Sequence, residues 1–437
     1  MNADALIHKD YFTDQSLLLD PYEYFRQMYA KGPVYPMGGG DVLLVTGFEE
    51  AVEVLRNNRD FSSAISTSGA GDPLPFSGAG DPLPFTPEGA DISAQLDVFS
   101  EQLGMLNLLV SYDGMQHANL RAIAGNLFTP TRLKATHTFM HDFADQLVRE
   151  AVSRGRCEIV NEIATPFVTL VVAEILGVPP EDRDKFRAVI DAAPPAGNMN
   201  KEDANEGAAP QLSPLEYMGL FFFEYLNDRR EHPRDDVLTH LAQATYPDGE
   251  LPDLLEMVKL SGFLFGAGQD TSAKLLSNAM RRIAEDPALQ QQLREDPALI
   301  PPMLEEVLRL EGSTKATFRI ARRDTKIGGM DIRAGTRLTV ALAAANRDPR
   351  RWENPEEFRI NRPRIKEHLA FGRGVHTCAG APLARLEVAA ILQHFLQHTT
   401  HISLCAEKHG PPGNRHLEYE PSFIIRGLAN LHLVLES

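Results

Sequence analysis

Cysteine is scarce in this chain of 437 residues. Cys157, Cys378 and Cys405 are too few and too widely spaced for a disulfide framework, and they suit a reducing compartment. Positive charge is also short: 43 Lys and Arg stand against 60 Asp and Glu, a formal net charge of −17. That balance argues against a nucleic-acid partner and against docking on an anionic membrane. Long hydrophobic runs are missing as well. The longest, from Phe167 to Val178, falls short of the ~20 residues of a membrane span and contains Glu174. Met1 to Asp10 has the layout of neither a signal peptide nor an anchor, so we expect a cytoplasmic protein with no membrane attachment. No shift of composition reads as a linker, and a single domain over residues 1–437 is expected. The sequence shows neither a Walker-type phosphate loop nor a dinucleotide fingerprint.

What is present is chiefly helical periodicity. Apolar spacing predicts helices over 17–30, 49–57, 116–127, 136–153, 214–230, 251–285, 287–295 and 300–310. Asp286-Pro287 and Pro301-Pro302 punctuate them. Strand-like runs lie at 42–45, 325–342 and 423–435, the second with hairpin connections at Gly328-Gly329 and Ala334-Gly335. The expected fold class is therefore mainly α with small β-sheets. Residues 68–85 are a tandem repeat in which Ser-Gly-Ala-Gly-Asp-Pro-Leu-Pro-Phe occurs twice. Its Gly and Pro content predicts a surface loop, either a tolerated duplication or a lid over a substrate entrance. A second Pro/Gly-rich loop is expected at 194–214.

The chemistry concentrates near the C-terminus. Phe371-Gly372-Arg373-Gly374-Val375-His376-Thr377-Cys378-Ala379-Gly380 ends where a helical pattern begins at Pro382. A thiolate at Cys378 would sit at a helix N-terminus, where backbone N–H groups favour negative charge. Gly372, Gly374 and Gly380 would let the backbone approach a flat partner. One soft anionic sulfur is thus offered to a metal from a single side.

Two further constellations lie upstream. Gly266 and Gly268 fall inside the helix predicted over 251–285, each at a cost of ~1 kcal/mol relative to alanine. Small residues there let something large lie against the helix, and Asp270-Thr271 adds a carboxylate and a hydroxyl at an expected kink, a proton relay in outline. Glu306-Val307-Leu308-Arg309 places an acid and a base on one helix face.

Together these segments resemble the cytochrome P450 family. Phe371, Gly374, Cys378 and Gly380 match its haem loop, Ala267 to Ser272 its oxygen-activating motif, and Glu306 with Arg309 its Glu-x-x-Arg pair. Phe128-Thr129-Pro130, Ala345-Asn346-Arg347-Asp348-Pro349 and Arg426-Gly427-Leu428 also look like those of soluble bacterial members, so the resemblance covers essentially the whole chain. It implies a cytochrome P450 fold and a haem b (iron protoporphyrin IX) whose iron is ligated by Cys378. Phe371, Gly372, Gly380 and Ala267 would pack on the haem. His117, Arg121, Arg319 and His376 would hold its propionates. Arg362 would join Glu306 and Arg309 in a buried structural network, and Asp270 and Thr271 would deliver protons during oxygen activation.

The implied reaction is insertion of one oxygen atom of O2 into a small, largely apolar substrate. Electrons would come from NAD(P)H through a separate ferredoxin and ferredoxin reductase, since no flavin or iron–sulfur module is fused to the chain. A basic patch including Arg364, Lys366 and Arg373 is the expected docking face, and the enzyme is expected to be a monomer. Pocket candidates by family position are Leu106, Leu109, Phe222, Phe263, Thr317 and Phe423, with Lys315 the one candidate for binding a carboxylate. A peroxide-driven peroxygenase and a non-catalytic haem sensor or carrier remain the alternatives.

Overall fold

The computed structural model describes residues 6–37, 42–66, 89–104, 107–185, 188 and 214–437. The tandem repeat, Leu106 and the loop before residue 214 lie outside them. The chain opens with α1 (Gln15–Leu19) and α2 (Tyr22–Lys31). These replace the single helix expected over 17–30. Pro21 follows Asp20 and pushes it out of the helical region, to φ −144° and ψ 98°. Strands β1 (Val34–Met37) and β2 (Val42–Val45) pair antiparallel; α3 (Phe48–Arg56), β3 (Phe61–Ser62) and α4 (Ser93–Gln102) follow. Next come α5 (Gly114–Gly125), α6 (Pro130–Ser153), β4 (Arg156–Glu158) and α7 (Thr165–Leu176). The central bundle is completed by α8 (Pro214–Glu231), α9 (Val237–Ala242), α10 (Leu254–Glu285), α11 (Pro287–Glu295) and α12 (Ile300–Glu311).

Strands β5 (Thr317–Ala321), β6 (Thr325–Ile327), β7 (Met330–Ile332) and β8 (Arg337–Val340) precede the short α13 (Leu342–Ala345). Gly328 and Gly329, at φ +55° and +86°, turn the β6–β7 hairpin as two consecutive left-handed residues must. The chain closes with α14 (Ala381–His398), β9 (His401–Leu404), α15 (Ala406–His409) and β10 (His432–Glu436). One sheet has the order β1-β2-β8-β5-β3, with β2 and β8 parallel; another has β4-β10-β9.

The strand expected over 423–435 is confined to β10. Upstream, the chain folds back so that Glu420 N–H bonds the Gly427 carbonyl at 3.0 Å. Gly427 then lies so close to Lys274 that a Cβ would stand 2.3 Å from its side chain.

Helix α10 runs through the largest apolar cluster and packs on α7, α8, α12 and α14. Asp253 caps it through the Leu255 N–H at 2.7 Å, so it begins three residues later than its periodicity suggested. Two stretches, Ile159–Leu176 and Gly374–His398, are long and apolar enough to cross a membrane by length and composition, and the first is mostly buried in the core.

Candidate active site

The cysteine loop is closed by its own backbone. Cys378 N–H bonds the Phe371 carbonyl at 2.9 Å, and Thr377 Oγ1 bonds the Gly374 carbonyl at 2.8 Å. Gly372 and Gly374 adopt φ +67° and +77°. A Cβ on Gly374 would stand 2.1 Å from the Leu55 carbonyl oxygen, so the close approach this glycine permits is to the end of α3, not to a flat partner as expected. Gly380 caps α14, and the Cys378 sulfur receives the N–H groups of Gly380 and Ala381. The sulfur is open to a cavity, yet the residue is enclosed deeply enough that burial raises its pKa; these N–H groups, Arg121 and Arg385 pull the other way. Arg385 also lies over the Phe371 ring at 4.6 Å.

The cavity measures about 420 Å³, within the usual range for a small-molecule site. Cys378, Phe371, Gly372 and Gly380 form one wall, and Gly266, Ala267, Asp270 and Thr271 of α10 form another. His117 and Arg121 reach it from α5, Arg319 from β5, and His376 from the loop. Arg121 bonds the Thr377 carbonyl, and the His117 and His376 rings lie 3.9 Å apart. Arg319 Nη1 bonds the Phe318 carbonyl at 2.6 Å and Ser66 Oγ at 3.2 Å.

Electrostatically this corner is short of an anion. Burial pushes Arg319 down to about 10, with Asp113 opposing. His376 is pushed down to about 2, first by burial and then by Arg319, His117 and Arg121, and its Nε2 has no hydrogen-bond partner. Asp113 is the nearby carboxylate, but Ser62 Oγ and Arg322 already hold it at 2.6 Å each, and it stays 3.9 Å from His376. Four cationic or protonatable groups around one buried anionic deficit suit a pair of carboxylates, and a soft sulfur at a helix N-terminus suits iron. The residues present therefore fit haem, with Cys378 for the metal and Arg121, Arg319, His117 and His376 for the propionates.

On α10, Thr271 Oγ1 donates to the Ala267 carbonyl at 2.8 Å, while Ser313 Oγ donates to the Thr271 carbonyl at 2.6 Å. Asp270 Oδ1 is paired with Lys274, one turn on, and its buried Oδ2 has no partner. Lys274 also reaches Glu420 at 2.7 Å. Burial works against this ammonium, but the two carboxylates outweigh it and its pKa is raised. Glu387 of α14 also lines the cavity; burial pushes it up to about 8, and although Ser272 eases this, neither carboxyl oxygen finds a partner at hydrogen-bond distance.

Behind the loop, Glu306 and Arg309 form a wholly buried pair at 2.7 Å, and Arg362 Nε bonds the same carboxylate at 2.9 Å. Both guanidinium groups also donate to backbone carbonyls, including those of Asn346, Pro355, Glu357 and Glu353.

Of the pocket candidates, Leu109, Phe263 and Thr317 line the cavity, and so does Ala267. Phe222 and Phe423 do not. Phe222 is buried in the helical core, and Phe423 packs among Phe12 and Phe318 in a separate cluster. Lys315 is no substrate clamp either: it is buried, donates to the Leu18 and Ser422 carbonyls, and is pushed down to about 7 by burial. Arg364 and Lys366 are exposed, whereas Arg373 turns inward to the cavity wall and donates to the Glu367 carbonyl at 2.7 Å. Lys274, Glu420 and Glu387 were not anticipated. Only Lys274, four residues after Asp270, carried a readable signal.

Residues 222–412 match the family model described as Cytochrome P450. Cytochrome P450 109 of Bacillus spizizenii is 32% identical over 339 residues, spanning 76% of this chain and 81% of the relative. Cytochrome P450 144 of Mycobacterium tuberculosis is 30% identical over 418 residues, spanning 95% and 89%. Among solved structures, substrate-free CYP150A6 of Mycobacterium marinum is 42% identical with a TM-score of 0.87, covering 99% of both chains. CYP109E1 of Bacillus megaterium, solved with corticosterone, is 25% identical with a TM-score of 0.77, over 97% of this chain and 100% of that one.

Proposed function

This chain belongs to the cytochrome P450 family of monooxygenases and has its fold, and on that premise we propose that it inserts one atom of O2 into a small, largely apolar substrate. The observation that carries this reading is the meeting of the Cys378 sulfur, the Asp270–Thr271 pair and a buried cationic corner on one cavity. Haem, when bound, supplies an iron to which the thiolate donates electron density, and this favours O–O cleavage. Cys378 holds the iron, while Arg121, Arg319, His117 and His376 hold the propionates.

The chain's own part is to position and protonate. Thr271 presents its hydroxyl to the cavity, and Asp270 stands behind it as proton carrier. Lys274 is shared between Asp270 and Glu420, so the ammonium keeps a partner when Asp270 takes up a proton. Such a relay favours O2 activation over a peroxide-driven reaction.

Leu109, Phe263, Val172 and Ile424 make the cavity wall largely apolar, in keeping with a neutral hydrophobic substrate. Electrons come from a separate ferredoxin and its reductase at the expense of NAD(P)H, in a single-domain, monomeric, cytoplasmic enzyme. Turnover under ¹⁸O2 with NADPH, ferredoxin and reductase tests the reaction: one labelled oxygen per product is expected. Product formed only with added hydrogen peroxide would overturn it.

A further inference from the structure

Away from the cavity, four histidines and an aspartate gather where α6 meets α14. His141 and Asp145 are i, i+4 neighbours on α6; His394 and His398 are i, i+4 neighbours on α14. His137 stacks one turn before His141, their rings 4.3 Å apart. Asp145 Oδ1 faces His398 Nε2 at 2.6 Å and His394 Nδ1 at 3.3 Å. The three donor atoms lie within 4.8 Å of one another.

A second imidazole orients His394 so that its Nδ1 can ligate. The other nitrogen of His394, Nε2, lies 3.1 Å from His141 Nδ1. With the shared proton on His394 Nε2, its Nδ1 lone pair points at the Asp145 oxygen, and that Nδ1 is buried without a hydrogen-bond partner. Orientation of a ligating imidazole through its second nitrogen is the usual outer arrangement of a metal site. Arg149 Nε donates to Asp145 Oδ2 at 2.6 Å, so Oδ1, now paired with His398 Nε2, is the oxygen that faces both imidazoles. Donors of a tetrahedral zinc site stand about 3.3 Å apart, given bonds of ~2.0–2.1 Å, so the His394–Asp145 pair at 3.3 Å already matches and the His398–Asp145 pair at 2.6 Å must open.

We propose that Asp145, His394 and His398 form a site for a divalent transition-metal ion, Zn²⁺ by its nitrogen- and oxygen-rich donor set, with His141 orienting His394. Water completes the fourth position. The site is separate from the cysteine loop but shares α14 with it, so the ion ties the far end of that helix to α6.

The test uses the haem-loaded protein, free of any affinity tag, stripped with chelator and titrated with Zn²⁺ against a competing chromophoric chelator. One Zn²⁺ per chain is expected, with a melting temperature that rises to saturation as the site fills. His394→Ala and His398→Ala should each weaken binding by at least about ten-fold, and His141→Ala by about ten-fold, the effect usual for an outer-shell partner. His432→Ala, on β10, serves as the control and should leave binding unchanged. X-ray absorption at the zinc edge should show only nitrogen and oxygen neighbours. Absence of saturable binding, binding unchanged in the His394→Ala/His398→Ala double variant, or sulfur in the zinc shell would each overturn the proposal. Should an alanine variant fail to fold, Asp145→Asn with the absorption spectrum of the wild type decides the same question.

Discussion

The proposed relay gives Thr271 and Asp270 separate parts. Both residues line the cavity; the Thr271 hydroxyl donates to the Ala267 carbonyl, and Lys274 holds the Asp270 carboxylate. Replacing Thr271 with alanine removes the group that presents protons at the cavity while leaving the cations and the sulfur in place. Product formed per NADPH consumed should fall by about ten-fold or more while NADPH oxidation continues, a modest part of the ~10²–10⁴-fold that positioned proton transfer contributes. Coupling equal to the wild type would refute the assignment.

Glu387 gives a second test at this scale. Its folded-state pKa lies near 8, well above an ordinary glutamate, because it is buried without partners. The folded protein therefore keeps a proton that the unfolded chain gives up, and this stabilisation is lost as pH rises from about 4.5 towards 8. Glu387→Gln should accordingly gain melting temperature relative to wild type when pH is raised from 5 to 8. A difference that stays constant over that range would show that the carboxyl is ionised throughout.

Which residues meet at the cavity was readable from sequence where the motif is local, as at Cys378, Asp270 and Thr271. It was unreadable where a partner arrives through the fold. Glu420 reaches Lys274 only because Gly427 lets the chain fold back against that side chain. Apolar candidates were the weakest ground, since Phe222 and Leu109 look alike in sequence and only packing decides which one meets the cavity.

At the scale of elements, the Glu306–Arg309–Arg362 network fixes α12 to the segment leading into the cysteine loop. Its three charges are satisfied by one another and by carbonyls, so removing one leaves the others buried and uncompensated. Glu306→Gln should destabilise the fold by about 3–5 kcal/mol and lose haem during purification. Normal haem content together with an unchanged urea midpoint would contradict this.

The same scale shows why helix α10 was legible and α1 was not. Helix α10 declares itself by a long apolar period and by glycines tolerated at a cost; its start was set by the Asp253 cap, a contact of a single residue. At α1 and α2 the apolar period runs on through Pro21, and the break comes from the conformational restriction a proline places on its predecessor. The 423–435 segment misled for another reason: its apolar alternation serves a folded-back turn and isolated bridges before the strand begins.

For the whole molecule, a net charge of −17 opposes the approach of an acidic carrier such as the proposed ferredoxin. Arg364 and Lys366 are exposed just ahead of the loop in sequence, and any attraction they exert on the proposed partner is screened by salt. Reduction of the enzyme by an acidic ferredoxin should slow steadily as ionic strength rises from low values to about 0.5 M, where the screening length falls to a few ångströms. A flat salt profile would place docking elsewhere.

The central claim is that Cys378 is the thiolate ligand of a haem in this cavity. It is tested most directly by the absorption spectrum of the reduced, carbon-monoxide-bound protein, recorded for wild type and Cys378→Ser. The account predicts the long-wavelength Soret band peculiar to thiolate-ligated haem in the wild type and its loss in the variant. A short-wavelength band in the wild type, or no haem band at all, would contradict it.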